Sequence, residues 1–113
     1  MKIKLHQIAC TRSGDKGKNS NVGVIFDHKQ VYEWAKKTLT SELVKIYFND
    51  IVLGEVLRYE LDNLLSLNFI LKDSLGGGGS ESLLNDAQGK THGQILLQMN
   101  LDFPDKLKEF INE

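Results

Sequence analysis

Cysteine, proline, tryptophan and long apolar runs are all scarce in this chain of 113 residues. Cys10 is the single cysteine, so no disulfide can form within the chain, which favours a reducing compartment. No stretch approaches the roughly 20 apolar residues of a membrane-spanning helix. The first residues alternate lysine with apolar side chains, whereas a signal peptide has a continuous apolar stretch. We therefore expect a cytoplasmic protein with no membrane partner.

An excess of one sign of charge is also absent. The chain has 14 basic and 15 acidic residues, a formal net charge of −1, so no overall field gathers nucleic acid. The basic and aromatic signature of RNA-binding sheets is missing too, and we expect no nucleic-acid partner. Hydrophobic residues make up 41% of the chain, which suffices for one core, so residues 1–113 are expected to form a single domain.

The first half of the chain changes from a strand pattern to a helical pattern. Apolar residues alternate with polar ones over 2–6, and residues 8–10 continue the extended pattern with the alternation shifted by one residue. The alternation returns over 21–26, so the pattern predicts two strands. Between them, residues 11–20 contain no large apolar side chain, and this composition predicts a loop. From Val31 to Phe48 apolar residues recur at helical spacing, and the pattern fits either one kinked helix or two.

The second half opens with the clearest hairpin pattern in the chain. Two alternating runs, 56–61 and 65–71, flank Asp62-Asn63, which predicts a two-residue turn. The remaining predicted elements are a glycine-rich connection, a helix from Asp86 to about Ile95, a strand over 97–103 and a short helix after Pro104. This order predicts an α+β fold, a ferredoxin-like β-α-β-β-α-β domain with an N-terminal β-hairpin elaboration. We expect an antiparallel sheet with helices on one face and a short C-terminal helix.

The predicted loop between the first two strands concentrates groups that bind anions. Arg12 and Lys16 supply cations, while Gly14 and Gly17 allow backbone N–H groups to turn toward a phosphate or carboxylate. The segment is not a P-loop, because Asn19 stands where Ser or Thr is required and a strand follows instead of a helix. A solvated hairpin loop explains the same composition, and the residues alone do not decide between the two interpretations.

A second glycine-rich stretch, Gly76 to Gly79, precedes the predicted helix that begins at Asp86. A helix N-terminus attracts anions, but about ten residues separate the glycines from Asp86. A flexible connector explains the glycines equally well, and helix capping alone explains Asp86.

Signals of catalysis and of metal binding are missing from the pattern. The three histidines and Cys10 lack metal-ligand spacing, and no paired carboxylates, catalytic triad or dinucleotide fingerprint occurs. Cys10 is expected to be a buried or half-buried, inert thiol. We expect no metal and no cofactor, and a domain that is not catalytic on its own.

Three segments, taken in order, resemble one known family. They are Arg12 to Gly17 with Asn19 to Val24, then Arg58 to Leu61, Asn63-Leu64 and Leu67 to Phe69 with the glycine run, and finally Asp86 to Lys90. Their order and spacing resemble the AtuA-like ferredoxin-fold domain, the C-terminal domain of acyclic terpene utilisation (AtuA-type) proteins. The resemblance extends from Leu5 to Phe103. Its departures are an additional glycine, Gly79, and Asp62 at a position where proline is common.

The resemblance implies a biochemical context and a set of site residues. In that family the domain follows a much larger N-terminal domain or occurs as a separate small protein, and this chain resembles the separate form. Family members are associated with degradation of acyclic terpenes and with acyl-CoA carboxylation pathways. The ligand-binding residues implied by position are Arg12, Ser13, Gly14, Asp15, Lys16, Gly17, Asn19, Asn21, Asn68, Gly76, Gly77, Gly78, Asp86, Gln88, Gly89 and Lys90.

Two functions follow from the resemblance and the predicted fold. The first is an accessory subunit that pairs with a large AtuA-type protein and offers its 12–17 loop to an anionic or CoA-linked small molecule. The second is an independent ligand-binding or regulatory module that self-associates through sheet faces or edges.

Overall fold

The computed structural model describes residues 1–49, 52–73 and 92–112, without the side chains of Asp15 and Lys16. Its strands and helices are β1 (Lys2–Lys4), β2 (Ala9–Lys16), β3 (Asn19–Phe26), α1 (Lys29–Thr38), α2 (Ser41–Phe48), β4 (Val56–Leu61), β5 (Ser66–Leu71) and β6 (Asn100–Asp102). Short 3-10 turns cover Leu5–Gln7, Asp62–Leu64 and Asp105–Phe110, and residues 92–96 are helical. The chain is therefore α+β, as its pattern predicts.

Four strands form one antiparallel sheet in the order β2-β3-β5-β4. Since β3 and β4 both pair with β5, they run parallel to each other, and α1 and α2 make the connection between them. β1 and β6 form a separate two-stranded sheet, with Ile3 opposite Leu101. The final strand of the predicted order therefore lies outside the four-stranded sheet, and β2 occupies an edge of that sheet.

Residues 11–20 form strand and a tight turn rather than the predicted loop. β2 continues to Lys16 and β3 begins at Asn19, with the ladder unbroken from one end to the other. Only Gly17 and Lys18 connect the strands, and Gly17 has a φ of 64°, a conformation that favours glycine. The composition misleads because an edge strand tolerates small and polar side chains once its neighbour supplies backbone hydrogen bonds.

β4 and β5 confirm the predicted hairpin but not its two-residue turn. The connection includes the 3-10 turn Asp62–Leu64 and Leu65, which lies in the left-handed region with a φ of 49°. Tyr59 consequently pairs with Asn68. A two-residue turn would place Tyr59 opposite Ser66, so the longer connection shifts the pairing by two residues without changing the face of any side chain.

α1 and α2 are two separate helices, which answers the question that the periodicity left open. The Thr40 hydroxyl caps α2 by accepting a hydrogen bond from the Leu43 backbone N–H at 3.1 Å. At the end of α1, Arg58 Nη1 donates to the Lys36 carbonyl oxygen at 3.0 Å. Each helix therefore has its own terminal polar contact.

The hydrophobic core lies between the helices and one face of the four-stranded sheet. Val22, Val24 and Phe26 of β3 are buried, as the alternation predicts, and Phe69 of β5 is completely buried beside them. The helical side contributes Val31, Tyr32, Ala35, Val44, Phe48 and Leu96. Leu107, Phe110 and Ile111 of the C-terminal segment also pack against this core. We call this side of the sheet the covered face.

The other side of the four-stranded sheet, the open face, carries the alternate side chains of the same strands. Its ladder positions with described side chains are Cys10, Arg12, Gly14, Asn19, Asn21, Gly23, Ile25, Leu57, Tyr59, Leu61, Ser66, Asn68 and Ile70. The prediction of a buried Cys10 is wrong: the thiol is exposed, because Ala9 and Thr11 on either side occupy the covered face. Within the three described ranges, no helix has the length and apolar character needed to cross a membrane.

Candidate functional site

One row of residues crosses the centre of the open face. Arg12 lies opposite Gly23, Gly23 opposite Asn68, and Asn68 opposite Tyr59. Adjacent strands are about 4.8 Å apart, so the Arg12 and Asn68 Cα atoms lie about 10 Å apart across the glycine. This central row therefore presents a guanidinium, a carboxamide and a phenol on one surface.

Gly23 leaves a gap in the central row. A Cβ atom at this position would lie 3.8 Å from Asn68 Oδ1 and 3.7 Å from the Arg12 carbonyl oxygen. These are ordinary contact distances, so the fold itself does not require glycine there. What the missing side chain provides is open space between the guanidinium and the carboxamide.

A shallow groove of about 290 Å³ lies over the central row. Its lining residues are Arg12, Ser13, Gly14, Asn21, Gly23, Ile25, Leu61, Leu64, Ser66 and Asn68. We call it the open-face groove. It is polar on the β2 side, and Leu61 and Leu64 make its other side apolar. The groove brings together part of the predicted site, namely Arg12, Ser13, Gly14, Asn21 and Asn68.

Arg12 is the only cation with a described side chain among these lining residues. Its side chain is exposed and makes no hydrogen bond or ion pair within residues 1–49, 52–73 and 92–112. The ladder positions of the open face include no aspartate or glutamate. A guanidinium without a partner in the described chain is available for bidentate binding of a carboxylate or phosphate.

Three other predicted site residues make contacts or turns within the fold. The Ser13 side chain lies on the covered face, where a Cβ atom at Gly93 would come within 2.7 Å of its Oγ atom, so Ser13 borders the groove through its main chain. Asn19 uses its Oδ1 atom to accept a hydrogen bond from the Asp73 backbone N–H at 3.0 Å. Gly17 forms the turn between β2 and β3. Asn19 and Gly17 therefore do not line the groove, and Ser13 lines it only through its main chain.

The rest of the predicted site is not located by the structure. Asp15 and Lys16 belong to the end of β2, but their side chains are not described. Gly76, Gly77 and Gly78 and the segment from Asp86 to Lys90 lie outside the described residues. Their participation in a ligand site remains a prediction of the family resemblance.

Sequence reasoning missed Gly23, Tyr59 and the apolar side of the open-face groove. Alternation along β4 and β5 is enough to place Tyr59 and Asn68 on one face. Their direct pairing, and the position of Leu64 beside them, depend on the turn conformation. The predicted two-residue turn was wrong on this point. The sequence therefore indicates which residues share a face, but not which residues pair across the strands.

On the covered face, a buried polar pair joins residues 92–96 to β3. His92 is 3% exposed, and its Nδ1 atom lies 3.0 Å from the Ser20 hydroxyl oxygen. The Phe48 ring packs near-perpendicular to the imidazole at 5.7 Å. Burial lowers the pKa of His92, which favours the neutral ring. With so little exposure, the pair contributes to packing between elements, and no sequence pattern singled it out.

A metal centre finds no support in the described ranges, where no group of three or more histidine, cysteine, aspartate or glutamate residues is placed to hold an ion. Among the described residues, the open face groups one guanidinium that has no described partner, two carboxamides from Asn21 and Asn68, and an apolar rim. The donors of such a surface are chemically suited to an anionic group.

Comparison with known proteins identifies one family. Neither the curated proteins nor the solved structures contain a match to this chain. A family match extends over residues 3–102, which includes the four-stranded sheet, all of the two-stranded sheet except Lys2, and every residue that lines the open-face groove. The match confirms the resemblance proposed from the three sequence segments. The chain belongs to the AtuA ferredoxin-like domain family.

Proposed function

We propose that this domain is an accessory subunit for a large AtuA-type protein in acyclic terpene or acyl-CoA catabolism. It docks through the open face and contributes Arg12 to a site for an anionic or CoA-linked substrate. The observation that carries the proposal is the central row, in which Arg12, without a partner among the described residues, lies across Gly23 from Asn68.

Charge supports an anionic partner at this position. Arg58, in contrast to Arg12, donates to the Lys36 carbonyl oxygen at 3.0 Å and to Glu60 Oε2 at 2.8 Å. Arg58 is thus used within the fold, whereas Arg12 is exposed and has no described partner. A guanidinium forms strong bidentate contacts with carboxylates and phosphates, so Arg12 is the residue to which an anionic group would bind.

Apolar exposure supports a docking role for the same face. Tyr59, Leu61 and Leu64 are 51%, 43% and 65% exposed and lie along the β4 side of the sheet. Adjacent exposed apolar side chains next to polar groups are typical of protein interaction surfaces. The family's larger N-terminal domain supplies the partner of this proposal.

Isothermal titration calorimetry of this chain against the large AtuA-type protein of the same organism tests the docking. We expect association, and a loss of affinity of about three- to tenfold in Leu64→Ser because one exposed apolar contact is removed. Leu53→Ser is the matched control, since Leu53 is 76% exposed but lies outside the groove. Absence of any association, or equal losses in both variants, would contradict docking through the open face.

The charged role of Arg12 needs a separate measurement. Removing a charge-assisted hydrogen bond costs about 1.5–3 kcal/mol, so Arg12→Ala should lower kcat/KM of the assembled complex about 10- to 100-fold. Lys108→Ala, which removes an exposed cation elsewhere, should leave it unchanged. An Arg12→Ala complex with full affinity and full turnover would refute the anion-binding role while leaving the docking result intact.

Self-association is the second candidate, because the exposed Tyr59, Leu61 and Leu64 can also meet a second copy of this face. In that case the domain is an independent ligand-binding or regulatory module. Sedimentation equilibrium of the chain alone distinguishes the two candidates: a dimer that Leu64→Ser dissociates supports the module, and a monomer supports the accessory subunit. A thermal-shift screen with CoA esters, phosphate and carboxylates then tests whether the module binds anions.

A further inference from the structure

A second groove, of about 770 Å³, lies between α1 and the 3-10 turn Asp105–Phe110. Its lining residues are Lys29, Gln30, Glu33, Trp34, Lys37, Lys106 and Leu107. We call it the Trp34 groove. It shares no residue with the open-face groove, and its volume lies within the range of about 300–1,000 Å³ that small-molecule sites occupy.

The charge of the Trp34 groove is positive. Three lysines line it against a single acid, Glu33, and Glu33 Oε2 is already paired with Lys36 Nζ at 3.3 Å. Within the described part of the chain, none of the three lining lysines forms an ion pair. An uncompensated set of ammonium groups around one concave surface attracts a multiply charged anion.

Trp34 supplies an aromatic ring to the same groove. The indole is half-buried, and its ring centroid lies 4.9 Å from that of Phe103 at an interplanar angle of 83°. This edge-to-face contact fixes the ring against the core, and the remaining indole surface lines the groove. A rigid aromatic surface of this kind favours stacking of a planar ring.

The spacing along α1 suits an extended ligand. Lys29 and Lys37 are eight positions apart, which corresponds to about 12 Å along a helix axis, and Trp34 lies between them. Lys106 faces them from the C-terminal turn. We propose that the Trp34 groove binds a nucleotide, with the base against the indole and the phosphates against the lysines. This proposal does not depend on the function assigned to the open face.

Titration with ADP tests the proposal directly, because Trp34 is the only tryptophan and its fluorescence reports on this groove alone. ADP should bind and quench the emission, inorganic pyrophosphate should bind with little quenching, and adenosine should bind most weakly. Calorimetry gives the dissociation constants independently of any optical effect. No binding of ADP at millimolar concentration, or adenosine binding as tightly as ADP, would overturn the proposal.

Variants separate the two recognition elements. Lys37→Ala and Lys106→Ala should each weaken ADP and pyrophosphate about three- to fivefold, the size expected for one exposed charge contact. Lys108→Ala is the matched control on the same 3-10 turn and should change neither constant. Trp34→Phe should weaken ADP while leaving pyrophosphate binding unchanged, which also shows that the variant is folded. ADP affinity that is unaffected by both groove lysine variants would refute the site. Tighter binding of a triglutamate peptide than of ADP would also refute it, because an acidic peptide would then be the better ligand.

Discussion

The covered and open faces of one four-stranded sheet carry the same types of residue in different environments. Each face has an aromatic side chain in the centre, Phe69 on one side and Tyr59 on the other, and each has an arginine. On the covered face these groups are buried or hydrogen-bonded within the chain. On the open face they are exposed, and the arginine has no described partner. Residue type alone therefore does not tell a structural group from one available for binding.

The largest expected difference between the faces is in their aromatic residues. Phe69→Ala should lower the free energy of unfolding by about 3–5 kcal/mol, because it leaves a cavity at a completely buried position. Tyr59→Ala, at a position 51% exposed, should lower it by less than about 1 kcal/mol. Urea denaturation of both variants measures the difference. Equal losses would show that the open face is as tightly packed as the covered one.

The arginines sharpen the same comparison with charged groups. Arg58→Ala removes hydrogen bonds to the end of α1 and should cost about 1–2 kcal/mol of unfolding free energy. Arg12→Ala should change it by no more than about 0.5 kcal/mol, since no described contact is lost. Chemical denaturation again provides the test. A destabilised Arg12→Ala variant would mean that Arg12 stabilises the fold and is not available for ligand binding.

A smaller effect is expected at the glycines. A methyl group at Gly93 would lie 2.7 Å from Ser13 Oγ and 2.9 Å from Thr11 Oγ1 on the covered face. Overpacking of about 1–3 kcal/mol should outweigh a gain in helix propensity of about 1 kcal/mol, so Gly93→Ala should lose about 1 kcal/mol. Gly23→Ala should fold normally, because its contacts would be 3.7 and 3.8 Å. Thermal denaturation of the pair tests this, and a stable Gly93→Ala variant would show that the covered face adapts.

The least effect, and the only one that depends on pH, concerns His92 on the covered face. Burial lowers its pKa below the usual value of about 6.5, so the unfolded chain binds the proton at higher pH than the folded chain. The contribution of the neutral ring is complete above about pH 6.5 and declines as the pH falls toward the folded-state pKa. The free energy of unfolding should therefore decrease from about pH 7.5 to about pH 5.5. The slope corresponds to the uptake of at most one proton when the chain unfolds.

His92→Gln should remove that part of the pH dependence, while His6→Gln, at an exposed position, should retain it. Urea unfolding at several pH values for the three proteins provides the comparison. If wild type and His92→Gln gave the same slope, the decline would have to originate elsewhere in the chain.

Much of the covered face was predictable from the sequence, because burial imposes a period on the residues. The alternation of Val22, Val24 and Phe26 predicted β3, and helical spacing predicted the region of α1 and α2. Residues 11–16 of edge strand β2 were predicted as loop, since small and polar residues pair there without any apolar period. The break between the helices at Thr40 depends on a cap, which periodicity does not reveal.

Half of the residues that line the open-face groove were predicted from the sequence, but the surface that they form was not. Arg12, Asn21 and Asn68 were proposed from the family resemblance, and the structure places all three in one groove. These three residues share a face because of the register in which β2, β3 and β5 pair. The sequence pattern predicts a loop over residues 11–20, and a loop implies no strand pairing. Register is determined by turns and pairing partners distant in sequence, and a single chain pattern does not contain that information.

The small sheet of β1 and β6 has a consequence for the order in which the protein forms. Ile3 pairs with Leu101, so its partner is synthesised almost a hundred residues later. Strands β2 to β5 are all complete by Leu71, and their sheet requires neither end of the chain. During translation β1 therefore has no partner strand until β6 has been synthesised. Pairing of β1 with β6 closes the longest loop in the chain and has the largest cost in chain entropy, so we expect it to be the last step of folding.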